Sequence, residues 1–342
     1  MSQSDYIKDI AKYGLENDYE KLLQALNELI DHSKKTKKIN FAIQLQSILR
    51  DSIRQQQTSG LSIIGSPKHF LKEEDKGMSD LILEKLTSDY RLKDLVCTND
   101  VLTELQYFIT EHQSIDVLNK FELPISNKVL FYGPSGCGKT LAAYVLAGEL
   151  EKLMIVVNLG AIVSSRLGET SKNLAKIFKR AASEKAIIFI DEFDSLGKIR
   201  DYSQDHGEMK RVVNTILQLF DYMPKECIVI AATNQINMID NALCRRFDLV
   251  LGLEKPDEKH IRELINKTLL STNFAFDNKK AINTIIKKCA GLSYYTIQKT
   301  LITSIKRSLF DKIENKSISM RINTQIWKEL IDQELSNISK QI

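Results

Sequence analysis

No stretch of this chain reaches the ~20 consecutive apolar residues that a membrane-spanning helix needs. The N-terminus, MSQSDYIKDIAKYGL, is polar and lacks the apolar block of a signal peptide. Both lacks argue against a membrane role and make the cytosol the expected location. The five cysteines, Cys97, Cys137, Cys227, Cys244 and Cys289, are scattered with no CxxC pair. That argues against a disulfide framework and against a zinc site, and it fits a reducing compartment. No internal repeat is visible.

What is there is ordinary in bulk. The chain has 342 residues, 43% of them hydrophobic and 27% charged. A well-filled core is possible, and two or three compact units of ~100–200 residues are expected. The net charge of +4 is unevenly spread. From Glu254 onward there are 16 Lys/Arg and 10 Asp/Glu, a balance of +6 that leaves −2 for the rest. A basic C-terminal unit suits an acidic partner or nucleic acid; a solvated lysine-rich surface is the plainer alternative.

Apolar residues at Tyr19, Leu22, Leu23, Leu26, Leu29 and Ile30 fall on one helical face, as do Phe41, Leu45, Ile48, Leu49 and Ile53. The spacing predicts a helical hairpin over 17–30 and 40–53, with the basic run Lys34–Lys38 in the connection. Residues 55–77 read as a polar linker with Gly60, Gly65 and Pro67. Residues 1–70 are thus expected to be a separable N-terminal helical unit plus linker that docks a partner.

From about Met78 the pattern changes. The runs KVLFY (128–132), LMIVVN (153–158), AIIFID (186–191), CIVIAATN (227–234) and DLVLGL (248–253) alternate with helical patterns. Short, almost wholly apolar runs of this kind indicate parallel strands covered on both faces. The expected fold class is therefore α/β, with a parallel sheet over 78–253. After Pro256 the strands stop, and 254–342 reads as an all-helical unit with helices over 258–270, 279–290, 295–312 and 324–335.

The strongest chemical signal is Gly133-Pro134-Ser135-Gly136-Cys137-Gly138-Lys139-Thr140, between the KVLFY strand and the helical pattern that begins at Leu141. A phosphate-binding loop requires this context. Glycines let the backbone curl so that successive N–H groups point at phosphate oxygens, and the helix adds its positive N-terminal end. Lys139 can reach the β- and γ-phosphates, and the Thr140 hydroxyl can bind Mg²⁺. Next comes Ile187-Ile-Phe-Ile-Asp191-Glu192. Asp191 at a strand end can hold Mg²⁺ through water, and Glu192 can orient and deprotonate an attacking water. Asn234 ends the fourth strand at the edge where ligands bind, so it either positions that water or forms a turn. Arg245 and Arg246 precede the fifth strand. They are either a finger onto the γ-phosphate of a neighbouring subunit or an ion pair within one subunit. Cys137, at a helix N-terminus, is either a reactive thiol of lowered pKa or an inert small residue chosen for size.

Together these residues resemble the AAA+ ATPases, and within them the AAA family proper: proteasomal, membrane-protease and katanin/spastin-type modules. The match runs from about Ser88 to Leu309. Gly207–Asp221, AATN and ALCRRFD look like that family's second region of homology, Gly291-Leu-Ser293 like its lid motif, and Leu95-Val96-Cys97 falls where it cradles adenine. The resemblance implies ATP and Mg²⁺ as ligands, with Val96, Gly291 and Ser293 near the nucleotide. It also implies a helical lid and a homo-oligomer, expected to be hexameric. No arginine stands out as the lid sensor. In place of the family's pore-loop aromatic the chain reads Ser164-Ser-Arg166-Leu-Gly-Glu169. Arg166 suits acidic peptide or a phosphate backbone, or it is an ordinary loop residue. The expected function is ATP hydrolysis coupled to remodelling of a protein client. The alternatives are a switch gating a separate protease or nuclease, and a DNA-associated ATPase, which the lack of a helix-turn-helix pattern disfavours.

Overall fold

A computed structural model describes residues 3–15, 19–36, 38, 40–46, 81–159, 169–195, 206–270, 274–314 and 321–339. Its centre is a six-stranded sheet: β1 (Ile82–Leu86), β2 (Lys128–Tyr132), β3 (Met154–Val157), β4 (Ile187–Ile190), β5 (Ile228–Thr233) and β6 (Leu249–Gly252). The spatial order is β1-β3-β4-β5-β2-β6. The five apolar runs of the sequence are all strands and all parallel, whereas β1 is an antiparallel edge strand with an irregular register against β3.

The strands are apolar at every position because both faces are covered. Val129, Phe131, Ile187, Phe189, Ile228 and Ile230 belong to one core. Their neighbours in sequence, Leu130, Ile188, Ile190 and Val229, belong to the other. The helices Asn99–Gln113 and Lys139–Glu149 fill the first face, and Glu169–Glu184 and His206–Asp221 the second. Each fully buried Ile or Phe of this kind contributes about 1.5–3 kcal/mol.

β4, β5 and β2 are adjacent and in register, Ile190 beside Ala231 and Tyr132 beside Thr233. The loops that leave their C-terminal ends therefore emerge side by side, and parallel sheets bind ligands at that edge.

After β6 the chain forms the helices Glu258–Leu270, Lys279–Lys288, Tyr294–Glu314 and Thr324–Ser339. The expectation that strands stop at Pro256 is corrected here. β7 (Ala275–Phe276) and β8 (Arg321–Ile322) form a two-residue parallel pair. Trp327, fully buried, stacks on Phe276 and donates from its indole N–H to Thr300 Oγ1 at 3.2 Å. Packing therefore holds the pair. The lid core is continuous with the first face of the sheet, since Leu264, Ile297 and Trp327 share a cluster with Phe131 and Leu146.

At the N-terminus the helix Tyr19–Lys35 extends beyond the expected Ile30, so Lys34 and Lys35 lie in its last turn. It packs against a helix the sequence pattern did not reveal, Gln3–Leu15, and near residues 40–46, which are helical. Asn40 Nδ2 donates to Ser88 O at 3.0 Å and Gln44 Nε2 to Thr87 Oγ1 at 2.9 Å, next to β1. The expected linker 55–77 and Arg166 lie outside the described residues. None of the described helices is long and apolar enough to cross a membrane.

Candidate functional site

The loop from Gly133 to Gly138 joins β2 to the helix Lys139–Glu149. Three of its residues have left-handed backbones that favour glycine: Gly133, Gly136 and Gly138, at φ of 135°, 74° and 94°. Gly133 is also required by space, because an added Cβ would lie 2.2 Å from the Leu253 carbonyl oxygen. Gly138 caps the helix in the αL conformation, so the first N–H groups of Lys139–Glu149 face the loop's concave side.

Lys139 is 7% exposed and donates from Nζ to the carbonyls of Gly133 at 2.8 Å and Pro134 at 2.9 Å. Burial pushes its pKa below the usual lysine value, and Cys137, Asp191 and Asp194 pull it partly back. The ammonium is thus poorly solvated and aimed along the loop, an arrangement in which an arriving phosphate strengthens its charge. Thr140 Oγ1 donates to Asp191 Oδ2 at 3.0 Å. The two residues expected to share a metal are therefore in direct contact across the β2–β4 gap.

Glu192 is exposed and has a positive φ of 51°, which for a side-chain-bearing residue costs about 1–3 kcal/mol. Its N–H donates to Asp191 Oδ1 at 2.8 Å, and its carbonyl accepts from Ser195 N at 2.8 Å. Glu192 lines the cavity described below. Asn234 is exposed on the next strand tip and lines the same cavity.

One contributor escaped the motif reading. Asp194 is 1% exposed, accepts from Thr233 Oγ1 at 3.0 Å and from Asn234 N at 3.4 Å, and so ties the Asn234 backbone to the turn after β4. Its only sequence signal is a second acid in DEFD, which otherwise reads as a surface residue.

A cavity of about 790 Å³ joins these groups to the lid. Ser135 through Leu141, Leu95, Val96, Asp191, Glu192 and Asn234 line one side, and Leu264, Lys267, Thr268, Leu270, Tyr294, Tyr295 and Gln298 the other. Val96 is therefore at the expected position. Gly133, Pro134, Gly291 and Ser293 do not line the cavity. Gly133 and Pro134 hold Lys139 through their carbonyls. Ser293 accepts from Thr296 N at 3.3 Å at the start of the lid helix, and its Oγ sits 2.7 Å from where a Gly136 Cβ would be. Tyr295 N donates to Gly136 O at 3.1 Å, so lid and phosphate loop are in direct contact.

Of the two readings of Cys137, the structure favours the inert small residue. Its side chain is 1% exposed, and burial raises the thiol pKa, with Lys139 and Lys255 opposing. Desolvation outweighs the helix end. Arg245 is exposed and makes no side-chain bond among the described residues. Arg246 forms an exposed ion pair with Asp221, the intrasubunit partner left open by the sequence. An exposed pair of this kind holds by ~0–1 kcal/mol and opens readily.

The glycine cradle, the buried lysine, the Thr140–Asp191 contact and the adjacent Glu192 define a P-loop nucleotide site of the hydrolytic type. Similarity to known proteins narrows the class. Residues 129–255 match the family model described as ATPase family associated with various cellular activities (AAA). The chain is 29% identical over 316 residues to an uncharacterized AAA family ATPase of Sinorhizobium fredii, covering 91% of each. It is 32% identical over 206 residues to an ATP-dependent zinc metalloprotease FtsH 2 of a Thermoanaerobacter species, covering 59% of this chain and 40% of that one. It is 31% identical over 187 residues to a putative 26S proteasome regulatory subunit homolog of Methanocaldococcus jannaschii, covering 54% of this chain and 50% of that one. The chain therefore spans half or less of the latter two relatives. Residues 129–255 are thus an ATPase domain of the AAA type.

Proposed function

We propose that this ATPase uses hydrolysis to remodel a protein client or partner, working as an oligomer, with a hexamer the expected form. The observation that carries the reading is the contact between phosphate loop and lid: Tyr295 N to Gly136 O, with Ser293 against Gly136. A change at the nucleotide phosphates cannot move that loop without moving the lid. The names of two relatives, a metalloprotease and a proteasome regulatory subunit homolog, support a protein client.

The donor set fits a magnesium nucleotide. Thr140 and Asp191 offer one hydroxyl and one carboxylate at 3.0 Å, a sparse set that suits a cation keeping waters and phosphate oxygens. Bound Mg²⁺ would offset phosphate charge and polarise the bond to be cleaved. The residues divide the remaining work. Lys139 leaves the Gly133 and Pro134 carbonyls for the β- and γ-phosphates. Glu192, held out by its turn, accepts a proton from the attacking water. Asn234, fixed through Asp194, orients that water. Arg245 and Arg246 act from the neighbouring subunit, Arg246 leaving Asp221 to reach the γ-phosphate. Residues 1–70 choose the partner.

The test has two arms. ATPase activity should rise when an unfolded protein is added, and no rise would remove the client reading. Arg246→Ala should lose activity, and subunits with Glu192→Gln but intact arginines should restore it in mixed oligomers. Absence of rescue would remove the finger assignment.

A further inference from the structure

The cavity wall carries one backbone donor that the chemistry above does not use. Val96 is 6% exposed and lines the cavity, and its N–H makes no hydrogen bond among the described residues. A donor on so buried a residue is costly to leave unmatched, so a ligand that supplies the acceptor is favoured there.

The direction of that donor is set from the lid. Val96 N and Leu95 O belong to one planar trans peptide, so they point in opposite senses and turn together. Lys267 Nζ, on the helix Glu258–Leu270, donates to Leu95 O at 2.8 Å and pairs with Glu263, one turn back, at 2.9 Å. The ion pair lies close to this segment: after burial, the opposed charges of Glu263 and Lys267 are what act on the Cys97 thiol. On the other side, Leu95 N donates to Leu92 O at 3.1 Å. The Leu95 side chain sits beside the phosphate loop, its Cδ1 3.7 Å from where a Gly138 Cβ would be. The peptide is thus gripped at three points, and only the grip on its carbonyl comes from the lid.

We propose that Lys267 is a positioning residue for base selection: by holding the Leu95 carbonyl it aims the Val96 N–H at a ring nitrogen of the nucleotide base. This rests on the ATPase reading above and on the base lying at Val96. Adenine has a lone pair at ring position 1 that accepts from such a donor. Guanine carries an N–H there and meets it donor to donor, which a site built around one hydrogen bond rejects. Lys267 therefore favours ATP over GTP without touching the base. Reversing the peptide, so that the Leu95 carbonyl faced guanine, takes Val96 from its negative φ to a positive one that a β-branched residue rarely adopts. Loss of Lys267 accordingly loosens the donor and creates no guanine site.

Equilibrium binding of ATP, GTP and 1-deaza-ATP, with magnesium present, to the full chain and to Lys267→Met and Lys267→Arg tests this. Methionine keeps the apolar stem and removes the donor, arginine keeps a donor, and melting temperatures control for folding. One net hydrogen bond corresponds to about tenfold in affinity. The wild type is expected to bind ATP at least about tenfold more tightly than GTP or 1-deaza-ATP, which has carbon in place of the acceptor. Lys267→Met should weaken ATP about tenfold and leave 1-deaza-ATP nearly unchanged, and Lys267→Arg should recover most of the ATP affinity. Equal losses for ATP and 1-deaza-ATP, or no loss for either, overturn the proposal, as does a wild type that binds all three alike. Failure of the wild type to bind ATP would instead overturn the ATPase reading.

Discussion

Lys139, Thr140, Asp191 and Glu192 line one wall of the nucleotide cavity; Leu264, Thr268, Tyr295 and Gln298 line the other. The first wall is ionic and held by backbone geometry that only particular residues adopt: three left-handed glycines, a strained Glu192, a lysine folded onto two carbonyls. The second is neutral or apolar apart from Lys267, whose ammonium is tied to Glu263 and Leu95 O, and it is carried on helices whose core merges with the sheet core. The difference teaches how labour is divided. Charge beside the phosphate loop is built into the sheet edge, whereas the wall on the helical side, which the proposed function sets in motion, carries mostly uncharged groups.

If that division holds, the deepest loss comes from the ionic wall. Glu192→Gln should lower turnover by ~10²–10⁴-fold while ATP still binds, because a general base contributes on that scale; single-turnover kinetics beside equilibrium binding would check it. A parallel fall in affinity would mean that Glu192 holds nucleotide and does not act on water. Next is the scaffold of that wall. Gly133→Ala forces a Cβ to 2.2 Å from the Leu253 carbonyl, and the clash with added backbone strain should cost about 3 kcal/mol, read as a drop in denaturation midpoint. Asp194→Ala, which removes the acceptor of Thr233 Oγ1 and Asn234 N, should reduce kcat about tenfold with KM little changed, since the orientation of Asn234 is lost while Lys139 and Thr140 stay in place.

The smallest effect is electrostatic. The pKa of Lys139 is lowered on folding, so the unfolded chain binds more protons between the folded value and the ordinary 10.5. Its contribution to the stability of the nucleotide-free protein therefore rises with pH through that window. Comparing the pH dependence of stability in the wild type and in Lys139→Met should reveal a slope that the variant lacks.

The ionic wall was legible in the sequence because its parts are short, contiguous and tied to strand ends. GPSGCGKT follows a strand directly, and Asp191-Glu192 ends another. The five inner strands were legible because burial on both faces demands apolar residues at every position. β1 was not, since an edge strand needs no such run and Leu83 is 64% exposed. β7 and β8 were not, because two residues carry no period and the lid core around Trp327 decides their pairing. Gly291-Leu-Ser293 announced the lid but not the lid side chains that line the cavity. Tyr295 and Lys267 meet the site only through tertiary packing, and Cys137 stayed open between two readings because a helix end is visible in sequence but burial is not.

Equilibrium binding of ATP with magnesium to the wild type and to Lys139→Ala tests the ionic wall most directly. Saturable binding that is abolished or weakened by at least about a hundredfold in the variant is the expected result. No binding by the wild type, or equal affinity in the two proteins, would contradict the account.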